Sequence, residues 1–263
     1  MERLKVLTLN IWNRLGPWEK RLSLIRRGLK ELSPDVVGIQ EVLSMPGFMS
    51  QVDAIADNLG FETATAGEWD LGSGLILGNA ILSKHPIDQS KSFALPSLGR
   101  EPRCLQFASL RTPAGIIPFF NTHLTHRFED TKIRVEQILA IKELVISNSS
   151  GSPAILVGDF NAPPDSSEIS TLRNSCELTD CWDYCHKKSE PMQPGHTFSR
   201  RNSFALLSDE PSRRIDYIFS IGQNHHKPVH AALAFDCPEE NVFASDHFGV
   251  FAELELRPIP SSS

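Results

Sequence analysis

The stretch ILVGDFNAPP, residues 155–164, joins a short apolar run to a polar pair and ends in two prolines. The aliphatic run 155–157 is typical of a buried strand, and Gly158 marks its end. Asp159 and Asn161 follow, and residues two apart in a strand point to the same face of the sheet. We therefore predict a carboxylate and a carboxamide side by side at the mouth of a buried strand, although an Asx turn before the prolines would also explain the pair.

The rest of the chain consists of apolar strand-like runs and a few amphipathic helices. Apolar residues at helical spacing predict helices at 18–32, 51–59 and 131–146. Runs rich in aliphatic and β-branched residues predict strands at 4–11, 35–42, 74–82, 104–110, 116–124, 154–158, 213–220, 229–235 and 249–256. The polar segment 186–214 is predicted to be a long loop with a small hairpin. Meanders mixed with helical crossovers favour a mixed-sheet α/β protein with helices outside.

Length and composition favour one large globular domain. The chain has 263 residues, of which 40% are hydrophobic and 22% charged, and no Pro/Gly/Ser-rich linker divides it. Single α/β domains often reach about 250 residues. We predict one domain over residues 1–257 and an unstructured tail over residues 258–263, and we expect a monomer.

Charge, apolar run length and cysteine count limit the partners and the compartment. The net charge of −6 lacks the basic signature of a protein that grips a long nucleic-acid duplex, so nucleic acid is a possible partner that charge does not favour. The longest apolar runs are too short to span a bilayer, so we predict no transmembrane segment. Five cysteines are an odd number and poor material for a disulfide framework, which favours a reducing, cytoplasmic location.

Polar residues recur where predicted core strands end or begin. Each has an ordinary structural explanation, such as a turn former, a cap or a satisfied core histidine, but Asp216 lies inside an apolar run where a carboxylate is rarely buried without a partner. Taken together, these residues fit a single site better than a set of coincidences. Carboxylate and carboxamide oxygens suit Mg²⁺, with Mn²⁺ as a substitute. The set comprises Asn10, Glu41, His123, Asp159, Asn161, Asp216, Asp246 and His247.

Six motifs in this order resemble those of the endonuclease/exonuclease/phosphatase superfamily: TLNIWN, GIQEV, NTHL, VGDFNAPPD, RRIDYIFS and SDHFGV. That superfamily includes deoxyribonuclease I, abasic endonucleases, inositol polyphosphate 5-phosphatases and neutral sphingomyelinases. The resemblance runs from Asn10 to about Val250, nearly the whole chain. It implies a four-layer α/β/β/α sandwich of two packed mixed sheets, and the NTHL motif resembles the deoxyribonuclease I-like and neutral sphingomyelinase-like branches.

The resemblance also implies roles for the polar residues. The metal ligands it implies are Glu41, Asn10 and Asp246. The catalytic residues are His123, Asp159, Asn161, Asp216 and His247: the 159/161 pair orients or activates water, Asp216 partners His247, and His123 donates to a phosphate oxygen. Either Asp159 or His247 could be the general base. One or two metal ions remain possible, because Asp159, Asn161 and His247 could hold a second ion.

Three functions are compatible with these residues. The favoured one is a Mg²⁺-dependent hydrolase that cleaves a small or lipid-linked phosphoester by in-line attack of water, with Asn79, Arg103 and Arg214 as expected substrate contacts. The alternative is a metal-dependent nuclease or nucleic-acid end-processing enzyme, for which the arginines at 100, 103, 200, 201, 213 and 214 would contact phosphates. The third, a binding module without activity, is disfavoured because every expected polar residue is present.

Overall fold

The first of two mixed sheets contains the amino-terminal and carboxyl-terminal strands. The computed structural model describes residues 2–175, 177–189, 193–222 and 226–257. The predicted tail, 258–263, lies outside these residues. The sheet has the order β11-β12-β1-β2-β4-β3 and pairs β1 with β2 in parallel. Its strands are β1 (Arg3–Asn10), β2 (Val36–Ser44), β3 (Glu62–Asp70), β4 (Ile76–Ser83), β11 (Lys227–Ala234) and β12 (Gly249–Glu255).

The second sheet repeats this plan with the strands from the middle of the chain. Its order is β5-β6-β7-β8-β10-β9, and it pairs β7 with β8 in parallel. Both parallel pairs end at the same edge of the sandwich, so their carboxyl ends deliver side chains to one place. The strands are β5 (Ile87–Leu95), β6 (Arg103–Thr112), β7 (Gly115–His123), β8 (Ala154–Asp159), β9 (Leu178–Asp180) and β10 (Asp216–Ile221).

Helices cover the outer face of each sheet. The helices are α1 (Trp18–Leu32), α2 (Gln51–Ala56), α3 (Thr131–Ser149), α4 (Ser167–Ser175) and α5 (Cys181–His186). Ile25 and Leu29 of α1 pack on the outer face of the first sheet, and Ile138 and Ile141 of α3 pack on that of the second. The predicted four-layer α/β/β/α sandwich is therefore confirmed. Among the described residues, no helix combines the length and apolar character needed to cross a membrane.

The core between the sheets decides where the polar side chains point. Leu4 and Val6 of β1 contribute to this inner core, as do Val157 of β8 and Ile218 of β10. Because side chains alternate along a strand, residues an even number of positions away also face inward. Asn10, Asp159 and Asp216 have this parity, so they enter the space between the sheets at its open edge.

Most predicted elements are present, but three edge strands, β3, β5 and the short β9, were missed. β5, with the sequence IDQSKSFAL, is largely exposed along its length, and β3 is also an edge strand. Edge strands need not alternate apolar and polar residues, so hydrophobic periodicity does not reveal them. The short helices α4 and α5 were also missed. The described part of the predicted loop 186–214 contains a short 3₁₀ turn and isolated bridges of Phe198 with Arg213 and with His247.

Arg134 of α3 ties the loop after β7 to α4. Its Nε donates to Glu168 Oε1 at 2.9 Å, and its Nη1 donates to the backbone oxygens of Thr125 and Arg127. The two charged side chains are only 5% and 3% exposed. This buried pair therefore holds the loop that follows His123.

Replacing Glu168 with glutamine should lower the free energy of unfolding by about 3 kcal/mol at neutral pH, because it leaves a buried charge unpaired. Burial acts to raise the pKa of Glu168, but its own backbone N–H and Arg134 lower it below the ordinary value of 4.5. The stabilisation from the pair is therefore complete above about pH 4.5, the ordinary pKa of a glutamate. It is lost as the pH falls through the lower pKa that Glu168 has in the folded protein. Urea unfolding near pH 7 and near pH 3 measures the difference.

The matched control is Glu143→Gln on α3, the helix that carries Arg134, where the side chain is 74% exposed. It should change the free energy of unfolding by less than about 0.5 kcal/mol. A Glu168→Gln variant as stable as the wild type near pH 7 would contradict the assignment.

Candidate active site

Three predicted residues form one row across the second sheet. In the strand register His123 of β7 is opposite Asp159 of β8, which is opposite Asp216 of β10. All three are nearly fully buried. His123 Nε2 lies 3.6 Å from Asp159 Oδ2. The row follows from the parallel β7–β8 pair, which places both strand ends at the same height.

Asn10 reaches this row from the first sheet. Its Nδ2 donates to Asp159 Oδ2 at 3.1 Å and to Glu41 Oε1 at 3.0 Å, while its Oδ1 accepts from the Trp12 backbone N–H. Asn10 therefore lies beside the predicted metal ligand Glu41. In this arrangement it presents N–H groups to the carboxylates, and its carbonyl oxygen is occupied by the turn.

The expectation that Asp159 and Asn161 share a strand face is wrong. β8 ends at Asp159, and Asn161 has a left-handed φ of 50°. The Asn161 backbone N–H donates to Asp159 Oδ1 at 2.9 Å, which is an Asx-type turn. The Asn161 Nδ2 donates to the Leu124 backbone oxygen. The turn, rather than strand alternation, thus holds the pair together.

Glu41 occupies a bulge in β2. The β2–β4 register shifts between Ile39 and Val42, and Glu41 has a left-handed φ of 60°. Bulges re-aim side chains and are frequent beside active sites. Glu41 is half-buried, and its second oxygen accepts from Asn13 Nδ2 at 3.1 Å. Asn13 was not predicted as a site residue, although its place in TLNIWN was a signal.

Asp246 and His247 come from the loop before β12. His247 Nδ1 lies 2.9 Å from Asp216 Oδ2, and its Nε2 lies 3.8 Å from Asp159 Oδ2. Asp216 and His247 therefore lie within hydrogen-bond distance of each other, as predicted. Ser245, also missed, contacts Asp246 Oδ1 and donates to the Asn10 backbone oxygen at 2.6 Å, so it joins this loop to β1.

Burial and neighbouring charges shift the pKa values of the two histidines of the site in opposite directions. Burial, reinforced by Arg103, holds the pKa of His123 well below its ordinary value. Burial also acts to lower the pKa of His247, but the charges of Asp216 and Asp159 outweigh burial and raise this pKa well above its ordinary value. Burial, followed by the Asp216 charge, raises the pKa of Asp159 to about 7. The two imidazoles that face Asp159 therefore differ in charge.

Arg21, which sequence reasoning missed, lies behind the carboxylates. It is fully buried and donates to five backbone carbonyls, including those of Ile11 and Ala244. Burial lowers its pKa to about 10, against the opposing charges of Asp246 and Glu41. It thus joins the loop after β1 to the loop before β12. An arginine on an amphipathic helix gave no sequence signal of this contact.

The three expected substrate contacts are placed differently from one another. Arg103 lies beside the site, with Nη1 3.3 Å from His123 Nδ1. Asn79 is buried in β4, with Nδ2 3.9 Å from Cys104 Sγ. Arg214 is 3% exposed and bridges Asp180 and Asp183 at 2.8 and 2.6 Å. The guanidinium of Arg214 is thus turned to these two carboxylates.

Two candidate metal sets emerge from this geometry. Asp159, Asp216 and His247 offer ligand atoms within 4.8 Å of one another. Glu41 and Asp246 form the other set. Burial, with an added contribution from the charge of Glu41, raises the pKa of Asp246 to about 6, so these two carboxylates repel each other. A divalent cation would relieve that repulsion, and carboxylates are the ligands Mg²⁺ prefers.

Solved structures with the same fold cover almost the whole chain. An endonuclease/exonuclease/phosphatase from Bacteroides vulgatus is 22% identical with a TM-score of 0.78, covering 98% of this chain and 100% of its own. The mannosyl-6-phosphatase Bt3783 of Bacteroides thetaiotaomicron is 22% identical with a TM-score of 0.75, covering 96% and 100%. Truncated Caenorhabditis elegans TDP2 is 18% identical with a TM-score of 0.75, covering 97% and 98%.

The structural likenesses confirm the predicted deoxyribonuclease I-like fold. A comparison with curated proteins found no significant match. The model of the Endonuclease/Exonuclease/phosphatase family matches residues 7–247 of this chain. Since this match spans nearly the whole chain, as the motifs indicated, the protein belongs to the endonuclease/exonuclease/phosphatase family, whose members are phosphoester hydrolases.

Proposed function

We propose that the protein is a Mg²⁺-dependent hydrolase that cleaves a small or lipid-linked phosphoester by in-line attack of water. The observation that carries this proposal is the convergence of two imidazoles on one carboxylate oxygen. His123 Nε2 and His247 Nε2 lie 3.6 and 3.8 Å from Asp159 Oδ2, at the edge where Glu41 and Asp246 also lie. A phosphoester bound there would have donors and a base within reach.

Glu41 and Asp246 are the residues we propose to hold Mg²⁺, with Mn²⁺ as a substitute. Asn10 supports them by donating to Glu41. When bound, the ion would neutralise charge on a phosphate oxygen and on the leaving group. Whether a second ion binds at Asp159, Asp216 and His247 is tested by the variants discussed below.

The chain's own groups would then act on the water and the phosphate. Asp159 is placed to accept a proton from the attacking water, and the Asn161 backbone N–H keeps its carboxylate oriented. His247, held by Asp216, and His123 are placed to donate Nε2–H to phosphate oxygens. His247 remains the alternative base.

The charge around the site supports a small or lipid-linked substrate over a nucleic acid. Each arginine of the nuclease hypothesis lies within 4.0 Å of a carboxylate. Arginines paired in this way contribute less to a phosphate backbone site than free ones. The pairs are Arg100–Asp130, Arg103–Glu101, Arg200–Asp209, Arg201–Asp236, Arg213–Glu210 and Arg214–Asp180.

A substrate panel with Mg²⁺, Mn²⁺ and Ca²⁺ tests this function. It should contain bis-p-nitrophenyl phosphate, p-nitrophenyl phosphate, mannose 6-phosphate, sphingomyelin, supercoiled plasmid and abasic DNA. We expect Mg²⁺-dependent hydrolysis of one or more of the first four and weak action on the nucleic acids. Cleavage of plasmid or abasic DNA in clear preference to the others would favour the nuclease alternative instead.

Two further proposals concern the setting in which the enzyme works. Among the described residues, Cys181, Cys185 and Cys237 form no disulfide, which supports the reducing, cytoplasmic compartment that we propose. We also propose that the protein acts as a monomer with a single catalytic domain over residues 1–257. Sedimentation analysis of the purified chain would reveal a stable dimer if this is wrong.

A further inference from the structure

The second nitrogen of His123 faces an arginine. Arg103 Nη1 lies 3.3 Å from His123 Nδ1, and both side chains are buried. A guanidinium has only N–H donors, so Nδ1 must accept the hydrogen bond with its lone pair. The single proton of the neutral ring is then on Nε2, the nitrogen that faces Asp159. We infer that Arg103 is a positioning residue that keeps His123 as the neutral Nε2–H tautomer.

Arg103 is itself held in place from the other side. Its Nη2 lies 3.7 Å from Glu101 Oε1, and the same oxygen is 2.8 Å from His126 Nδ1. The side chains of Glu101 and Arg103 are only 6% and 5% exposed. A guanidinium fixed between a carboxylate and an imidazole has little freedom to turn its donors away. The orientation of the His123 ring is therefore set by a chain of contacts outside the catalytic row.

His247 provides the internal contrast. Its Nδ1 faces the carboxylate of Asp216 at 2.9 Å, so that nitrogen carries a proton. His123 and His247 direct their Nε2 atoms at the same oxygen of Asp159, yet their Nδ1 partners have opposite charges. Environments that separate two like groups in this way assign them different roles. His123 is the neutral donor of the pair.

Arg103, expected from the sequence to contact substrate, instead contacts His123. Arg103 acts through His123 by keeping an N–H directed at the position of a phosphate oxygen. The catalytic consequence rests on the proposed function, whereas the tautomer itself does not.

The tautomer can be measured directly. Long-range ¹H–¹⁵N correlation spectra of metal-free protein labelled with ¹⁵N-histidine distinguish Nδ1–H from Nε2–H rings, and His123→Gln identifies the His123 signals. In the wild type we expect a protonated Nε2 and an unprotonated Nδ1. Arg103→Met removes the donor and should give a mixture of tautomers. Arg103→Lys retains a donor and should restore the Nε2–H form.

Kinetics on bis-p-nitrophenyl phosphate provide the second measurement. Arg103→Met should lower kcat by about 10- to 100-fold with little change in KM, since a misplaced catalytic group can cost about 10²-fold. Arg103→Lys should recover most of the loss. A wild-type His123 in the Nδ1–H form, or an unchanged tautomer in Arg103→Met, would overturn the inference. A wild type with the expected tautomer but no hydrolysis would overturn the proposed function alone.

Discussion

Glu41→Gln is expected to lower kcat/KM for bis-p-nitrophenyl phosphate by about 10³-fold in the presence of Mg²⁺. A bound cation supplies several kcal/mol of transition-state stabilisation, and each 1.4 kcal/mol is about a factor of ten. Glutamine keeps the size of the side chain and one oxygen that can accept from Asn10 or Asn13, but it removes the second acceptor and the charge that would hold the ion.

The loss should coincide with a loss of Mg²⁺ binding. A ligand that binds the folded state raises its melting temperature, so Mg²⁺ should raise the Tm of the wild type and leave that of Glu41→Gln unchanged. Glu143→Gln, an exposed change on α3, is the control and should retain both activity and the Tm shift. A Glu41→Gln variant that hydrolyses the substrate at the wild-type rate would contradict the assignment of Glu41.

Asp216→Asn is expected to lower kcat by about 10²- to 10⁴-fold, the range that a positioned acid or base contributes. Asp216 is fully buried, and its carboxylate is the nearest negative charge to His247 Nδ1. Asparagine can accept the same hydrogen bond but no longer stabilises the protonated imidazole. In a Ser-His-Asp triad, the same replacement costs about 10⁴-fold with the geometry intact.

The Tm measurement then separates the two candidate metal sets. If Mg²⁺ binds at Glu41 and Asp246, Asp216→Asn retains the Mg²⁺-induced Tm shift although its activity is lost. If the ion binds at Asp159, Asp216 and His247, the shift is lost in Asp216→Asn and retained in Glu41→Gln. Asp57→Asn, a half-exposed carboxylate paired with Arg26 away from the site, is the control. Full activity in Asp216→Asn would show that the pair is only structural.

The fold could be predicted for those elements whose burial produces a regular pattern of apolar residues in the sequence. The inner strands β1, β2, β7, β8 and β10 are rich in apolar residues, so their positions could be read from the sequence. The positions of the edge strands β3 and β5 could not be read from the sequence, because a strand with an exposed side needs no alternation of apolar residues. Strand order was also hidden, since pairing joins segments that are far apart in the chain.

The residue types at the strand ends follow from the amino-acid sequence alone, and its motifs indicate the family and the candidate polar residues. How these residues face one another depends on the folded chain. The bulge at Glu41, the Asx turn at Asn161 and the Arg103–His123 contact depend on backbone conformation and on neighbours distant in sequence. Spacing along one strand carries no information about a partner on another, and for this reason the charge states of His123 and His247 followed only from the folded chain.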